Sequence, residues 1–231
     1  MAVTAQFILE GSEYALEQCG LLLGGANVLY RNGSYASAVV LTAFAREELG
    51  RSSILRDLWR QASRRETLTV EQLQQACDDH VAKQRAGMLS ITMRADKDSG
   101  LGKVLSARIT ADRQSPEAQK ADADLTRIDE VIKKRTPGDR HEKRMAALYV
   151  EPISEKRWNR PAKTSASSAW ELLCDARNDY SLRCDQVNLK ESDPDLYNAL
   201  AQWPDRPKLE PPPEIGLPPG VAPPAASTAT A

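Results

Sequence analysis

The stretch YASAVVLTAFAREELGRSSILRDLWRQ, Tyr35 to Gln61, carries apolar side chains at helical rather than alternating spacing. Wound at about 100° per residue, it gathers Val40, Leu41, Phe44, Ala45, Leu55, Leu58 and Trp59 on one broad face. Two charges, Glu48 and Arg51, fall inside that face. A long helix with its apolar side inward must pack on other helices, and the rest of the chain supplies them. Upstream, about Ser12 to Tyr30 repeats Ala15, Cys19, Leu22, Leu23, Ala26 and Leu29 at three- and four-residue steps. The turn Arg31-Asn32-Gly33-Ser34 then separates the two helices, with Gly33 the natural left-handed stop.

Downstream, a third helix is expected from about Thr69 to Arg85, and Arg94 to Asp112 reads as loop. Ser115-Pro116-Glu117 opens a fourth, with hydroxyl cap, proline at the first helical position and acid in the first turn. It is expected to run to Lys134 and to stop at Thr136-Pro137-Gly138. Leu148 to Pro152 looks extended, and Trp158-Asn159-Arg160-Pro161 looks like loop. Ser168-Ala169-Trp170-Glu171 fits a capping box for a fifth long helix ending near Asn188, and a short helix from Pro194 to Trp203 follows Asp193. The fold class is therefore all-α, a bundle of about five main helices over residues 1–203. Nine of the 14 prolines lie between Pro204 and Pro224, so 204–231 is expected to be a disordered, Pro/Ala-rich tail. A proline-rich ligand for a partner domain is the less favoured reading of that tail.

With 31 Lys and Arg against 32 Asp and Glu, the 231-residue chain has a net charge of -1, so any basic site must be local. No run reaches the roughly 18 apolar residues of a spanning helix, and the first residues lack a basic leader; no membrane partner and a cytoplasmic location are expected. Four scattered cysteines point to reduced thiols. Nothing resembles a glycine-rich phosphate loop or a Gly-x-Ser-x-Gly elbow, which removes nucleotide kinases and common hydrolases. Cys77 and His80 stand at metal-like spacing, but Cys174 and Cys184 do not complete a zinc set, so neither metal nor cofactor is expected.

The informative residues are charges placed where apolar groups belong. Glu48 and Arg51 lie on the inward face of the second helix, and Arg177 lies in the stripe Trp170, Leu173, Cys174, Tyr180, Cys184 and Val187 of the fifth. An uncompensated buried charge costs several kcal/mol, so these residues are expected to pair or to line a wet cleft. Such a cleft is how a helical bundle builds a site. A buried pair of Glu48 with Arg177 or Arg51 that only sets helix register is the competing reading. Glu47, four residues before Arg51, is assigned to a surface salt bridge. Only His80 and His141 are available for acid–base work. His141 lies in a segment, Lys133 to Arg144, with six basic residues in twelve positions that could contact phosphates.

Ser34 to Ala38 followed by Ala43-Phe44-Ala45-Arg46-Glu47-Glu48-Leu49-Gly50-Arg51 resembles the AbiV family of abortive-infection proteins, a bacterial branch of the HEPN superfamily. His80-Val81-Ala82-Lys83, the stretch from His141-Glu142-Lys143-Arg144 to Leu148-Tyr149-Val150-Glu151, and Trp158 to Pro161 are similar to that family too, so the resemblance spans about Gly11 to Cys184. It implies a HEPN-like bundle, paired as a homodimer, that serves phage defence by acting on RNA or on the translation machinery, with a phage-encoded activator. Many HEPN proteins are metal-independent endoribonucleases built on an Arg followed four to six residues later by a His. The Arg holds the scissile phosphate while the His moves protons as the ribose 2′-hydroxyl attacks. Carried onto this chain, the resemblance nominates Glu48, His80, His141 and Arg177 as catalytic. Arg51, Lys83, Arg135, Arg140, Lys143, Arg144 and Asn178 become RNA contacts. The motif is departed from twice: Arg177-Asn178 leads to Cys184 instead of a His, and the Arg135 to His141 pair is interrupted by Pro137-Gly138. A non-catalytic RNA- or protein-binding module that inhibits translation, or that acts as a toxin–antitoxin-type partner, is the alternative.

Overall fold

The computed structural model describes residues 2–64, 66–87, 104, 107, 115–150, 152–154, 157–185, 189–191 and 193–215, with backbone alone for 127–141 and 153. Helices α1 (Ala5–Arg31) and α2 (Tyr35–Ser63) form a long antiparallel hairpin. Gly33, at φ 78°, provides the left-handed turn between them. Around α2 are set α3 (Val70–Asp78), α4 (His80–Ala86), α5 (Pro116–Leu148) and α6 (Ala166–Cys184). A two-stranded antiparallel hairpin, β1 (Pro152–Ser154) and β2 (Arg157–Trp158), and a 3-10 turn at Pro161–Lys163 connect α5 to α6. Helix α7 is Pro194–Ala201, with Asp193 accepting from Leu196 N as its cap. The chain is an all-α bundle, and no described helix is long and apolar enough to cross a membrane.

Two apolar cores lie along the α1–α2 hairpin. Leu16, Cys19, Leu23, Ala26, Tyr30, Ala38, Val39, Ala45 and Leu49 meet Leu173, Ala176 and Tyr180 of α6 in the first. Ile8, Leu9, Leu55, Trp59, Leu68, Leu73, Leu196 and Leu200 make the second, which closes the other end. Burying such side chains is worth about 1.5–3 kcal/mol each. The second core explains why α1 begins at Ala5, capped by Thr4, and not near Ser12: Ile8 and Leu9 need a helix to reach Leu55 and Trp59.

The remaining boundaries differ for local reasons. The expected third helix is two, because Asp79 takes an extended conformation (φ -71°, ψ 111°) and its carboxylate caps α4 by accepting from Val81 N and Ala82 N. Helix α5 continues through Thr136-Pro137-Gly138, where a stop was expected. Its ends are held by buried Ala118 and Ala121 and by buried Arg144 and Ala147, and a single proline removes only one backbone donor. Helix α6 is capped by Ser165, which accepts from Ser168 N, so Ser168 lies inside the helix and the expected Ser168–Glu171 capping box is not its start.

The proline-rich segment has two parts. Residues 206–215 contain neither helix nor strand, yet they lie along the bundle as a strap. Leu209 and Ile215 pack on the first core, and Tyr180 Oη donates to Glu210 O at 2.8 Å. Asn27 Nδ2 donates to Glu214 O at 3.1 Å. Proline suits such a strap, since its fixed φ lowers the entropy lost on ordering. Residues 216–231 lie outside the described residues.

Candidate functional site

The segment Arg46-Glu47-Glu48-Leu49-Gly50 sits at the middle of α2, the helix with neighbours on most sides, and each of its side chains meets a different partner. Arg46 is buried and faces α6, where Nη1 lies 2.9 Å from Asp179 Oδ2; burial lowers its pKa against the pull of Asp179 and Asp175. Leu49 fills the first core. Gly50 admits the backbone of α4: a Cβ built there would stand 1.7 Å from Lys83 O. That close approach brings the first turns of α4 over Glu47.

Glu47 is 4% exposed and collects four polar partners from two helices. Its Oε1 accepts from Arg144 Nη1 of α5, with Gln84 Nε2 at 3.5 Å. Its Oε2 lies 2.6 Å from His80 Nδ1 and 3.9 Å from Lys83 Nζ of α4. Arg144 also stacks over Phe44, with its guanidinium carbon 5.9 Å from the ring centroid. Lys83, Gln84 and Arg144 are buried, but the His80 side chain is 54% exposed. The cluster therefore opens to solvent through an imidazole whose Nδ1 is occupied by a carboxylate. Such an arrangement orients the ring.

The assignment of the two adjacent glutamates is exchanged relative to expectation. Glu47 was expected to pair with Arg51 at the surface, and instead it is the buried acceptor. Glu48 pairs with Arg51, Nη1 to Oε2 at 2.9 Å, near the edge of the bundle, and partial burial raises its pKa despite Arg51 and Lys83. The reason lies in the buried seam of α2. It runs through Ala38, Thr42, Ala45, Leu49, Ser52, Arg56 and Trp59, so small and charged residues hold positions that the apolar pattern gave to Val40, Leu41 and Phe44.

Among the described side chains, Arg177 is joined neither to Glu48 nor to His80. Its Nε donates to Pro213 O of the strap at 2.6 Å, with Asn178 next to it, partly buried. Cys184 is a partly buried thiol whose pKa is raised by burial, so little thiolate forms near neutral pH. Arg135, Arg140 and His141 lie on α5, but their side chains fall outside the described ones. Lys143 lines a cavity of about 470 Å³ beside the β-hairpin, and its neighbour Arg144 turns inward to Glu47.

Sequence reasoning passed over a second buried cluster. Glu13, fully buried, accepts from Arg56 Nη2 at 2.8 Å on Oε1, and from Arg206 Nε at 2.8 Å on Oε2. Ser12 Oγ accepts from Arg56 Nε at 3.3 Å and lies 3.2 Å from Ser52 Oγ. Beside it Arg183 donates to Ser53 Oγ at 2.6 Å, its pKa lowered to about 10 by burial and then by Arg56 and Arg60. One signal existed: Glu13 stands four residues after Leu9 and three before Leu16, inside the apolar stripe once α1 is begun at Ala5.

Comparison with curated proteins and with solved structures finds no match. The HEPN_AbiV family model, described as AbiV, matches residues 7–178, from the first turn of α1 to Asn178 in α6. That span contains the α1–α2 hairpin, the Glu47 cluster and the β-hairpin, and the chain belongs to the AbiV family of HEPN-type abortive-infection proteins.

Proposed function

We propose that this protein is a phage-defence effector that acts on RNA, cutting it without a metal ion at the Glu47–His80 pair. The observation that carries this reading is the half-exposed His80 imidazole held at Nδ1, 2.6 Å from a buried carboxylate. With Nδ1–H donating to Glu47, Nε2 is the basic nitrogen. It takes the proton of a ribose 2′-hydroxyl as that oxygen attacks the adjacent phosphorus, and the 5′-oxygen leaves with a proton from water. The products are a 2′,3′-cyclic phosphate and a 5′-hydroxyl, and the imidazolium formed in the step is stabilised by Glu47. Arg144 fixes the carboxylate from its other oxygen, which makes it a positioning residue.

Incubating the purified protein with total cellular RNA in EDTA tests this. Wild type is expected to produce fragments whose 5′ ends accept a kinase label without prior phosphatase, and His80→Asn is expected to lose them. Equal cutting by both proteins would sink the assignment of His80. A second reading is favoured by one observation: the Arg177 guanidinium is engaged by Pro213 O of the strap. On that reading the protein binds RNA or ribosomes and blocks translation without cleavage. Co-sedimentation with ribosomes that is unchanged in His80→Asn, with no fragments from wild type, would select it.

A further inference from the structure

The cavity of about 470 Å³ between α5, the β-hairpin and the start of α6 is lined by four cationic residues, Lys143, Arg157, Arg160 and Lys163. No acidic residue stands among its described lining residues. Arg157, Arg160 and Lys163 are exposed. Like charges gathered around one concavity repel each other, and the field they focus attracts an anion. In a chain whose net charge is -1, four cations among the described lining residues are a local feature and not a consequence of composition.

The wall also carries Trp158, 60% exposed. Its place is set from behind: Asn159 Nδ2 donates to Ala146 O and to Tyr149 O, each at 2.7 Å, tying the hairpin to the last turn of α5. The hairpin thus holds an indole and two guanidinium groups in a fixed loop instead of leaving them on a free one. Thr164 and Ser168 add hydroxyl donors, and the N-terminus of the 19-residue α6 adds the positive end of its dipole. The space exceeds what a bare phosphate fills and falls in the range of small-molecule sites, about 300–1,000 Å³.

We infer that this cavity is a nucleotide site, with phosphate on Arg157, Arg160 and Lys163 and the base stacked on Trp158. The ligand chemistry is a phosphorylated nucleoside, either one unit of a single-stranded RNA or a free nucleotide. Neither the catalytic nor the non-catalytic reading given above is required for it, since the cavity contains neither His80 nor Glu47. It lies next to the Glu47 cluster through consecutive residues, Lys143 facing the cavity and Arg144 facing Glu47.

The test is equilibrium binding by the full chain of a fluorescent single-stranded oligoribonucleotide, of AMP and of inorganic phosphate, at several salt concentrations. The proteins compared are wild type, Arg157→Ala/Arg160→Ala and Trp158→Ala. All substituted residues are exposed, and an unchanged far-UV spectrum and melting temperature confirm that each variant is folded. The double variant is expected to bind about 10- to 100-fold more weakly, with a salt slope shallower by roughly 1.4, about 0.7 per lost phosphate contact. Trp158→Ala is expected to lose about 5- to 150-fold from lost stacking. Binding of the oligonucleotide well above AMP assigns the site to a strand, and binding of AMP at least as tightly assigns it to a free nucleotide. Three results would overturn the inference: no binding of either ligand, binding unchanged in both variants, or inorganic phosphate bound as tightly as AMP.

Discussion

Glu13 and Glu47 are buried carboxylates with the same coordination and different surroundings. Each splits its two oxygens between partners that come from distant parts of the chain. Glu13 takes Arg56 on one and Arg206 on the other; Glu47 takes Arg144 on one and His80 on the other. At Glu13 both partners are permanently charged, Arg56 is 1% exposed, and the strap closes over the pair. At Glu47 one partner is a half-exposed imidazole that can change its charge. The sealed cluster can only hold helices and strap together. The open one has a group able to carry a proton to or from a ligand. Burial of a charge therefore does not mark function by itself, whereas the exposure and titratability of its partner separate a staple from a site.

The largest effect is expected where the sealed cluster is opened. Glu13→Ala leaves two guanidinium groups without their carboxylate, and removing one member of a buried pair costs about 3–5 kcal/mol. That is a large share of the roughly 5–15 kcal/mol by which a domain is stable, so urea unfolding should show a markedly lower midpoint with an unchanged slope. A loss below about 1 kcal/mol would mean that Arg56 and Arg206 find water, and that the cluster is not sealed.

The open cluster should respond in the opposite way. His80→Asn keeps a donor for Glu47 but cannot accept a proton, so cleavage is expected to fall by about 10²- to 10⁴-fold. Stability should stay within about 0.5 kcal/mol, as for other exposed positions. Cleavage measured in EDTA and urea unfolding on the same preparation separate the two quantities. A variant equally inactive and unstable would make His80 a second staple.

Gly50→Ala attacks the geometry that puts α4 over Glu47. A Cβ 1.7 Å from Lys83 O cannot be accommodated without moving α4, because the obstacle is backbone. Overpacking of this kind costs about 1–3 kcal/mol. The sharper expectation is that cleavage falls further than His80→Asn-like stability would predict, since His80, Lys83 and Gln84 all ride on α4. Hydrogen exchange should locate the loosened amides in α4 and leave the α1–α2 seam protected.

Much of this organisation is legible in the sequence and part of it is not. The hairpin of two long helices follows from three- and four-residue apolar steps and from Gly33, and both survive in the structure. The Ser115-Pro116 start of α5 is read from its cap alone. The split at Asp79 escapes notice because an aspartate that caps the next helix looks, in sequence, like one more polar residue of a continuing one. The exchange of Glu47 and Glu48 escapes for a deeper reason. Apolar pattern locates a buried face only when buried positions are apolar, and the seam of α2 is built partly of Ser52, Arg46, Glu47 and Arg56, each satisfied by a partner far away in the chain. Long-range pairing is invisible to a local period. The strap is missed likewise: proline content argues against a packed core, but it does not forbid a few carbonyls from meeting Asn27, Arg177 and Tyr180.

The smallest expected effect concerns Glu48, the neighbour that sits between the two situations. It is paired with Arg51 near the edge, and burial nevertheless raises its pKa. Its folded-state pKa thus lies above the unfolded value of about 4.3, and between the two the folded chain binds more protons. Stability from this group therefore falls as pH rises through that window, and at neutral pH the ionised carboxylate is a net cost. Glu48→Gln removes the ionisation and keeps the shape. It is expected to stabilise the protein at pH 7 by less than about 1 kcal/mol, since the surface pair with Arg51 that it gives up is worth little. At pH 3, where Glu48 is already protonated in both states, the two proteins should unfold at the same urea concentration. A variant less stable at pH 7 than wild type would instead place Glu48 with Glu47 among the charges on which the fold depends.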